Sequence, residues 1–339
     1  MSDKDIVILG IETSCDETSA ALVINGRKLR SNIIYSQIKI HQPFGGVVPE
    51  VASRNHVKKI DMIVKKALDE SNINLNEIDG VAVTYGPGLV GSLLVGLSYA
   101  KAISYCIKKP LIGINHIEGH ICANYINNYD IKPPFLSLVA SGGHTNLILV
   151  KDYGVYEVLG QTRDDAAGEA FDKISRSLGF GYPGGPAIDK ASKLGDPGFV
   201  NFPRAFLEDE SYDFSFSGLK SSVLNYLNSC KMKGIEIEKE NVAASFQKAV
   251  VEVLAIKAVN AAVKYDMKTI CISGGVARNS SLRETLSILT KEKEILLHFP
   301  EPDLCSDNAA MIASAGYYKY ENNEFSNYDL NAVSNLKII

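Results

Sequence analysis

The sequence predicts an α/β chain built twice on one plan, and two recurrences predict it. The first is a strand, polar turn, strand unit: residues 6–10, the turn 11–19, and residues 20–24. It returns about 130 residues later as strand 135–140, turn 141–145 and strand 146–150, and such self-similarity is read before anything else. The second is a strand, a glycine turn, a helix and a strand, seen over residues 81–114 and again over 268–299. Its offset is near 190 residues, so the second half carries roughly sixty more, placed around residues 159–238. At 339 residues two lobes are the better prior than one core. The expected division is an N-terminal lobe 1–133, with a C-terminal helix 309–339 packing back on it, and a C-terminal lobe 134–308 holding the insertion.

Taken in order, residues 6–10 and 20–24 are apolar runs of buried strands, and the turn between them is dressed with hydroxyls and carboxylates. Such a turn suits a phosphate through its hydroxyls and backbone amides, or a cation through its carboxylates. Residues 31–40 read as a further strand, followed by a loop with Gly45 and Gly46. Residues 50–70 form a helix, because Val57, Ile60, Ile63, Val64, Ala67 and Leu68 fall on one stripe. Arg54 and His56 at its start are expected to be exposed. Residues 81–84 are a buried strand leading into Gly86–Ser92 and a long apolar helix through Tyr105. The glycines imitate the frame of a phosphate-binding P-loop, but no lysine stands between them, so a Walker motif is rejected. Close helix packing is the better use of those glycines. Residues 128–134, with Pro133-Pro134, read as a crossing between lobes.

His116 and His120 lie four residues apart, one turn of a helix, directly after the apolar run 110–114. That spacing lets two imidazoles reach one transition-metal ion, and strand C-termini are where ligands gather in α/β sheets. Near the end of the chain, Ser306 or Asp307 is expected to cap a helix 309–320, or Asp307 joins the two histidines as a third ligand. Two histidines and a carboxylate with open positions suit iron or zinc. Within the insertion, Asp165, Glu169 and Asp172 fall at i, i+4 and i+7 and are expected to share a helical face. Gly184 and Gly185 offer bare backbone to a ribose or phosphate.

Composition narrows the classes. The net charge of −4 advertises no global basic field for nucleic acid, leaving local patches around Lys65-Lys66 or Lys231 to Lys233. No apolar run approaches the roughly 20 residues that span a bilayer, and the mixed-charge start (MSDKD) is not expected to be a secretory signal. Cys15, Cys106, Cys122, Cys230, Cys271 and Cys305 lack paired spacing, as reduced thiols of a cytoplasmic protein do.

Two hairpin-led lobes, each with a glycine turn feeding a helix, are the plan of the actin, sugar-kinase and Hsp70 nucleotide-binding fold. Eight motifs sharpen this: GIETSCDET from Gly10, GGVVPE from Gly45, GPGLVG from Gly86, His116-x-x-x-His120, SGGHT from Ser141, DDAAGEAFDK from Asp164, DFSFSGLK from Asp213, and SGGV from Ser273. Together they resemble the bacterial branch of the TsaD (Gcp/YgjD) family of tRNA threonylcarbamoyltransferases. The resemblance implies transfer of a threonylcarbamoyl group from threonylcarbamoyl-AMP to N6 of adenosine 37 in tRNAs reading codons that begin with A. It implies Fe(2+) or Zn(2+) on His116, His120 and Asp307. It implies an adenylate site at Val139, Ala140, Ser141, Gly142, Gly143, Asp172, Gly185, Asp189 and Asn279, with ATP, ADP and AMP as other occupants. Its partners are TsaB as a heterodimer mate, the ATPase TsaE, and a TsaC-type synthase upstream; no membrane is involved. The proton acceptor for the adenosine amine is expected to be Glu12 or His144. Three rivals remain. A metalloprotease needs its glutamate directly after the first histidine, whereas Glu118 stands one place later, rotated about 100° around the helix. A small-molecule kinase of the same fold leaves the paired histidines without purpose. A nucleotide-binding assembly subunit without chemistry leaves both the metal and the adenylate motifs unused.

Overall fold

The run Val-Ile-Leu-Gly-Ile has no polar alternation, and it forms a strand buried on both faces, β1 (Val7–Glu12). β1 pairs antiparallel with β2 (Glu17–Ile24), and β2 with β3 (Lys28–Ser36). A short helix α1 (Ile38–His41) and the 23-residue helix α2 (Pro49–Ser71) follow. β4 (Gly80–Gly86) returns parallel to β1, and after α3 (Val90–Ile107) β5 (Leu111–Asn115) runs parallel to β4. The sheet order is β3-β2-β1-β4-β5. α4 (His116–Cys122) starts at the residue after β5.

The second sheet repeats this. β6 (Phe135–Ala140), β7 (Thr145–Asp152) and β8 (Val155–Gln161) are its three leading strands, with β6 antiparallel to β7. Then come α5 (Ala167–Leu178), α6 (Gly184–Ser192), α7 (Ser217–Met232) and α8 (Lys239–Lys264). β9 (Thr269–Ser273), α9 (Ser280–Glu292) and β10 (Leu296–His298) complete it. β9 is parallel to β6 and to β10, so the order β10-β9-β6-β7-β8 is that of the first sheet. Between β8 and α8 lie α5, α6 and α7, which have no counterpart between β3 and α2.

These elements are seen in a computed structural model that describes residues 4–206 and 211–338. The start of the chain up to residue 3, read above for its charge, lies outside the described residues. The chain divides into one unit of residues up to 133, 152–155 and from 300 onward, and a second of 134–151 and 156–299. Two helices return to the first unit, α10 (Pro302–Cys305) and α11 (Ala309–Glu321). α11 packs on β1 so closely that only glycine fits beneath it. A Cβ on Gly10 would stand 2.2 Å from the carbonyl oxygen of Ala309 and 2.7 Å from the nitrogen of Ala313.

Several expectations are corrected. The C-terminal helix stops at Glu321 rather than reaching 339, because Asn323 takes a left-handed conformation (φ 58°). The segment beyond it is irregular and bridges Leu111 at Ser326. Strand 31–40 ends at Ser36, where Gln37 turns the chain into α1. His56 is buried, not exposed: its Nδ1 meets the Thr18 hydroxyl at 2.8 Å and its Nε2 the Cys15 carbonyl at 2.9 Å. Arg54 does face solvent, paired with Glu50. α3 is a helix of 18 residues apolar enough to cross a membrane by length and composition, longer than the apolar runs read from sequence. It lies against β4 and α2 and buries Leu93, Gly96, Leu97 and Ala100 on that side, while only 33% of the span is buried and Val90 and Leu94 stay exposed.

Gly10→Ala therefore forces α11 away from β1. Overpacking of this kind costs about 2 kcal/mol or more, and urea unfolding of the variant is expected to show that loss in its midpoint with an unchanged slope.

Candidate metal centre and nucleotide-binding turns

The first unit brings three strand ends to one buried carboxylate. Glu12 closes β1 with no exposed surface. Its Oε1 accepts the backbone N–H of Ser14 at 2.5 Å, and its Oε2 accepts the Thr84 hydroxyl of β4 at 2.6 Å. The same Oε2 lies 3.1 Å from Nδ1 of His116, the first residue of α4, and the Ser14 hydroxyl lies 3.2 Å from that nitrogen. With Nδ1 so engaged, Nε2 of His116 is left facing Asp307, 3.5 Å away. His120, one turn on and fully buried, brings Nε2 within 3.2 Å of the same Asp307 oxygen. Neither ring nitrogen of His120 makes a hydrogen bond of acceptable geometry, so the 3.2 Å approach is a misaligned one.

Asp307 is free to turn this way because it is not the helix cap. Asn308 caps α11, its side chain accepting the Met311 N–H at 3.1 Å, which corrects the expectation that Ser306 or Asp307 would. One atom from each of His116, His120 and Asp307 lies within 4.8 Å of the others. Burial works to lower the His116 pKa, but Asp307 and Glu12 overcome it and hold the value at about 10. Burial and the neighbouring His116 together lower that of His120. Burial would raise Asp307, yet the two imidazoles carry it well below the ordinary carboxylate range. One imidazole rich in carboxylate partners, one orphaned imidazole and an ionised carboxylate form a donor set that fits a divalent ion. Glu118 belongs to a different contact: its carboxylate pairs with Lys319 at 3.2 Å.

The second unit gathers the glycine turns. Val139 and Ala140 end β6 in its buried interior, and the turn after them is closed by Ser141 N–H donating to the His144 carbonyl at 2.8 Å. His144 is half-buried and its N–H donates to the Ser141 hydroxyl at 3.2 Å. The Ser141 carbonyl accepts Gly168 N–H at the start of α5. On α5, Asp172 accepts the N–H of Gly184 at 2.6 Å, drawing in the first residue of α6. On α6, Asp189 accepts the Ser280 hydroxyl at 2.8 and 3.0 Å and the Ser280 N–H at 3.2 Å. Asn279 caps α9 and donates to Gln247 at 2.7 Å. Contacts thus run from Ser141 to α5, from α5 to α6, and from α6 to the start of α9. A Cβ on Gly142, Gly143, Gly185 or Gly275 would meet nothing within 4 Å, so these backbones stand open.

The shared acidic face forms in part: Asp165 and Glu169 meet at Lys173, while Asp172 turns to Gly184. Asp165 precedes α5 and is held by Lys173 at 2.8 Å and Lys220 at 2.6 Å, while Glu169 pairs with Lys173 alone. The lysines, one on α5 and one on α7, answer the repulsion. Ser14, Thr84 and Asn308 were missed as supports. The hydroxyl-rich turn was the only signal for the first, and the other two are placed by tertiary pairing.

A family profile described as TsaD, tRNA N6-adenosine threonylcarbamoyltransferase, matches residues 28–314. The chain belongs to this family. It is 61% identical over 335 residues to the tRNA N6-adenosine threonylcarbamoyltransferase of Clostridioides difficile strain 630, covering 99% of each chain. It is 59% identical over 337 residues to the enzyme of that name from Clostridium kluyveri strain NBRC 12016, again covering 99% of each. Among solved structures it is similar to T. kodakarensis HypF, with a TM-score of 0.65 at 14% identity over 96% of this chain and 49% of that one. That likeness shows the duplicated actin/sugar-kinase/Hsp70-like fold. As a member of the TsaD family the chain is a tRNA-modifying acyltransferase, which removes the protease and kinase readings.

The Asp165 contacts carry a pH signature. Burial would raise its pKa, but the two lysines lower it. Its stabilisation is therefore complete above the ordinary carboxylate value and is lost as pH falls through the lowered one. Asp165→Asn is expected to cost about 1–2 kcal/mol at neutral pH. Acid unfolding curves of the variant should be flatter below about pH 4, and wild-type steepness there would contradict the assignment.

Proposed function

We propose that the chain transfers the threonylcarbamoyl group of threonylcarbamoyl-AMP to N6 of adenosine 37 in tRNAs reading codons that begin with A, with one Fe(2+) or Zn(2+) on His116, His120 and Asp307. The observation that carries this is His120: a fully buried imidazole with both nitrogens lacking a hydrogen bond, set beside His116 and Asp307. An unsatisfied buried group of that kind is costly unless it ligates something. When bound, the ion supplies Lewis-acid polarisation of the donor carbonyl and a template for its orientation.

The remaining work belongs to the chain. The N6 lone pair attacks the carbamoyl carbon, the new C–N bond forms, and the bond to the phosphate oxygen breaks. AMP departs with that electron pair and no covalent enzyme intermediate is needed. Gly142, Gly143 and Gly185 present bare backbone to the adenylate, and Ser141, Asp172, Asp189 and Asn279 fix its polar groups, with Val139 and Ala140 forming the strand end beneath. ATP, ADP and AMP share these contacts. Glu12 has no exposed surface and both oxygens occupied, so it orients His116 rather than accepting the N6 proton. His144, half-buried in the open turn, takes that role. Adenosine 37 must leave its stack for the amine to react, and positioning is the main demand on so weak a nucleophile. The family partners TsaB, TsaE and a TsaC-type synthase belong to this reading, as does a cytoplasmic setting.

The test is single-turnover transfer with TsaB, TsaE, tRNA and threonylcarbamoyl-AMP, read by nucleoside mass spectrometry. His116→Ala with His120→Ala is expected to lower transfer by about 10²-fold or more, as should chelation. Wild-type rates from the metal-free double variant would overturn the metal assignment. A normal rate for His144→Ala, with metal content intact, would remove His144 as the proton acceptor.

A further inference from the structure

α4 is a helix of seven residues buried along its length, and so short a helix does not hold itself. Its cap is Asn115, the last residue of β5, whose side-chain oxygen accepts the Ile117 N–H at 2.8 Å. A carboxamide has two faces of opposite polarity, and turned by half a rotation it would point its NH2 at that donor. What prevents this is the far end of the chain: the Asn115 NH2 donates to the carbonyl oxygen of Lys337 at 3.1 Å. Asn115 is itself buried, and the bond is part-buried.

Lys337 is in turn held in register. Val333 N–H donates to the Tyr85 carbonyl at 2.8 Å, and Gly88 N–H to the Ser334 carbonyl at 3.1 Å. Both contacts lie at the end of β4 and in the turn after it. Gly86 is glycine for the same reason, since a Cβ there would stand 2.1 Å from the Val333 carbonyl oxygen. Further back, the Ser326 hydroxyl accepts Gly113 N–H of β5 at 3.0 Å, and Tyr328 stacks edge-on to Tyr105. The segment thus starts beside Leu111 and Gly113 of β5, and its last part, residues 333–337, reaches the C-terminal ends of β4 and β5, where the metal-binding helix begins.

We propose that residues 333–338 are a strap that positions α4, acting through Asn115 on the directions of His116 and His120. Asn115 is a positioning residue: it acts through the Ile117 N–H and the Lys337 carbonyl and is not one of the three candidate ligands. The proposal rests on the metal reading for its consequence in affinity, but its structural core is independent of any ion.

The experiment uses full-length chains. Asn115→Ser keeps a good cap but cannot reach Lys337; Val333→Pro removes the donor to Tyr85 and unseats the strap. In the metal-free proteins, hydrogen exchange at the amides of residues 119–122 is expected to quicken about tenfold in both variants, with melting temperature within a few degrees of wild type. Zinc affinity, measured against a chromogenic chelator, is expected to fall about fivefold in each, in line with one lost hydrogen bond. The double variant should fall no further than either alone, because both cut one line of contact. Unchanged exchange in both variants would overturn the strap whether or not the triad binds metal. Faster exchange with unchanged zinc affinity would confine the strap to the fold and overturn its link to the triad. If Val333→Pro fails to fold, Asn115→Ser alone decides between these results.

Discussion

The Glu12 carboxylate is the constraint on which the first unit turns. It sits at the end of a strand buried on both faces, where an unpaired charge would be prohibitively expensive. Four groups answer it: a hydroxyl from the neighbouring strand, the backbone amide of the following turn, and the ring of His116 with the Ser14 hydroxyl behind it. Removing any of these leaves charge uncompensated in a dry interior, so β1, β4 and β5 must end in register. That register sets α4 in place immediately after β5, and the Nδ1 contact decides which His116 nitrogen is turned toward Asp307. Asp307 arrives from the other direction, at the head of α11, because Asn308 has taken over the capping task. The close seat of α11 over Gly10 links the two ends of this arrangement within one unit.

The second unit shows the same strand plan put to a different use. Its hairpin turn, at Ser141 to His144, carries glycines where the first carries carboxylates. Its extra helices α5, α6 and α7 bring paired rather than stacked charges: Asp165 with two lysines, Asp189 with the start of α9. Duplication supplied two equivalent sheet ends. What distinguishes them is the side chains at their turns, as expected where function is grafted on a fold.

Much of this was legible in the sequence because it is periodic. Unbroken apolar runs mark strands covered on both faces, the stripe on α2 marks its buried side, and the spacing of His116 and His120 survives folding because both lie on one helix. The capping details at chain turns were not. Asp307 and Asn308 are adjacent acceptors with near-equal capping propensity, so only the tertiary position of α11 separates ligand from cap. Asp165, Glu169 and Asp172 have helical spacing, yet the helix begins at Ala167, and Lys220 comes from a distant helix that local pattern cannot reveal. The run from Asn322 onward has no period at all. Its order comes from backbone groups at β4 and β5, which carry no signature in the amino-acid types. His56 likewise looks like a surface residue at a helix start and becomes core through contacts with the turn at Cys15 and Thr18.

The central claim is that Glu12 and Asp307 hold His116 and His120 as a ready-made ligand set for one divalent ion. The most direct measurement is anomalous scattering from crystals soaked with zinc, collected on both sides of its absorption edge. The account predicts a single strong peak bounded by His116 Nε2, His120 Nε2 and an oxygen of Asp307, with Glu12 still on His116 Nδ1. No peak there at saturating metal, or a peak bound to Glu12 itself, would contradict it.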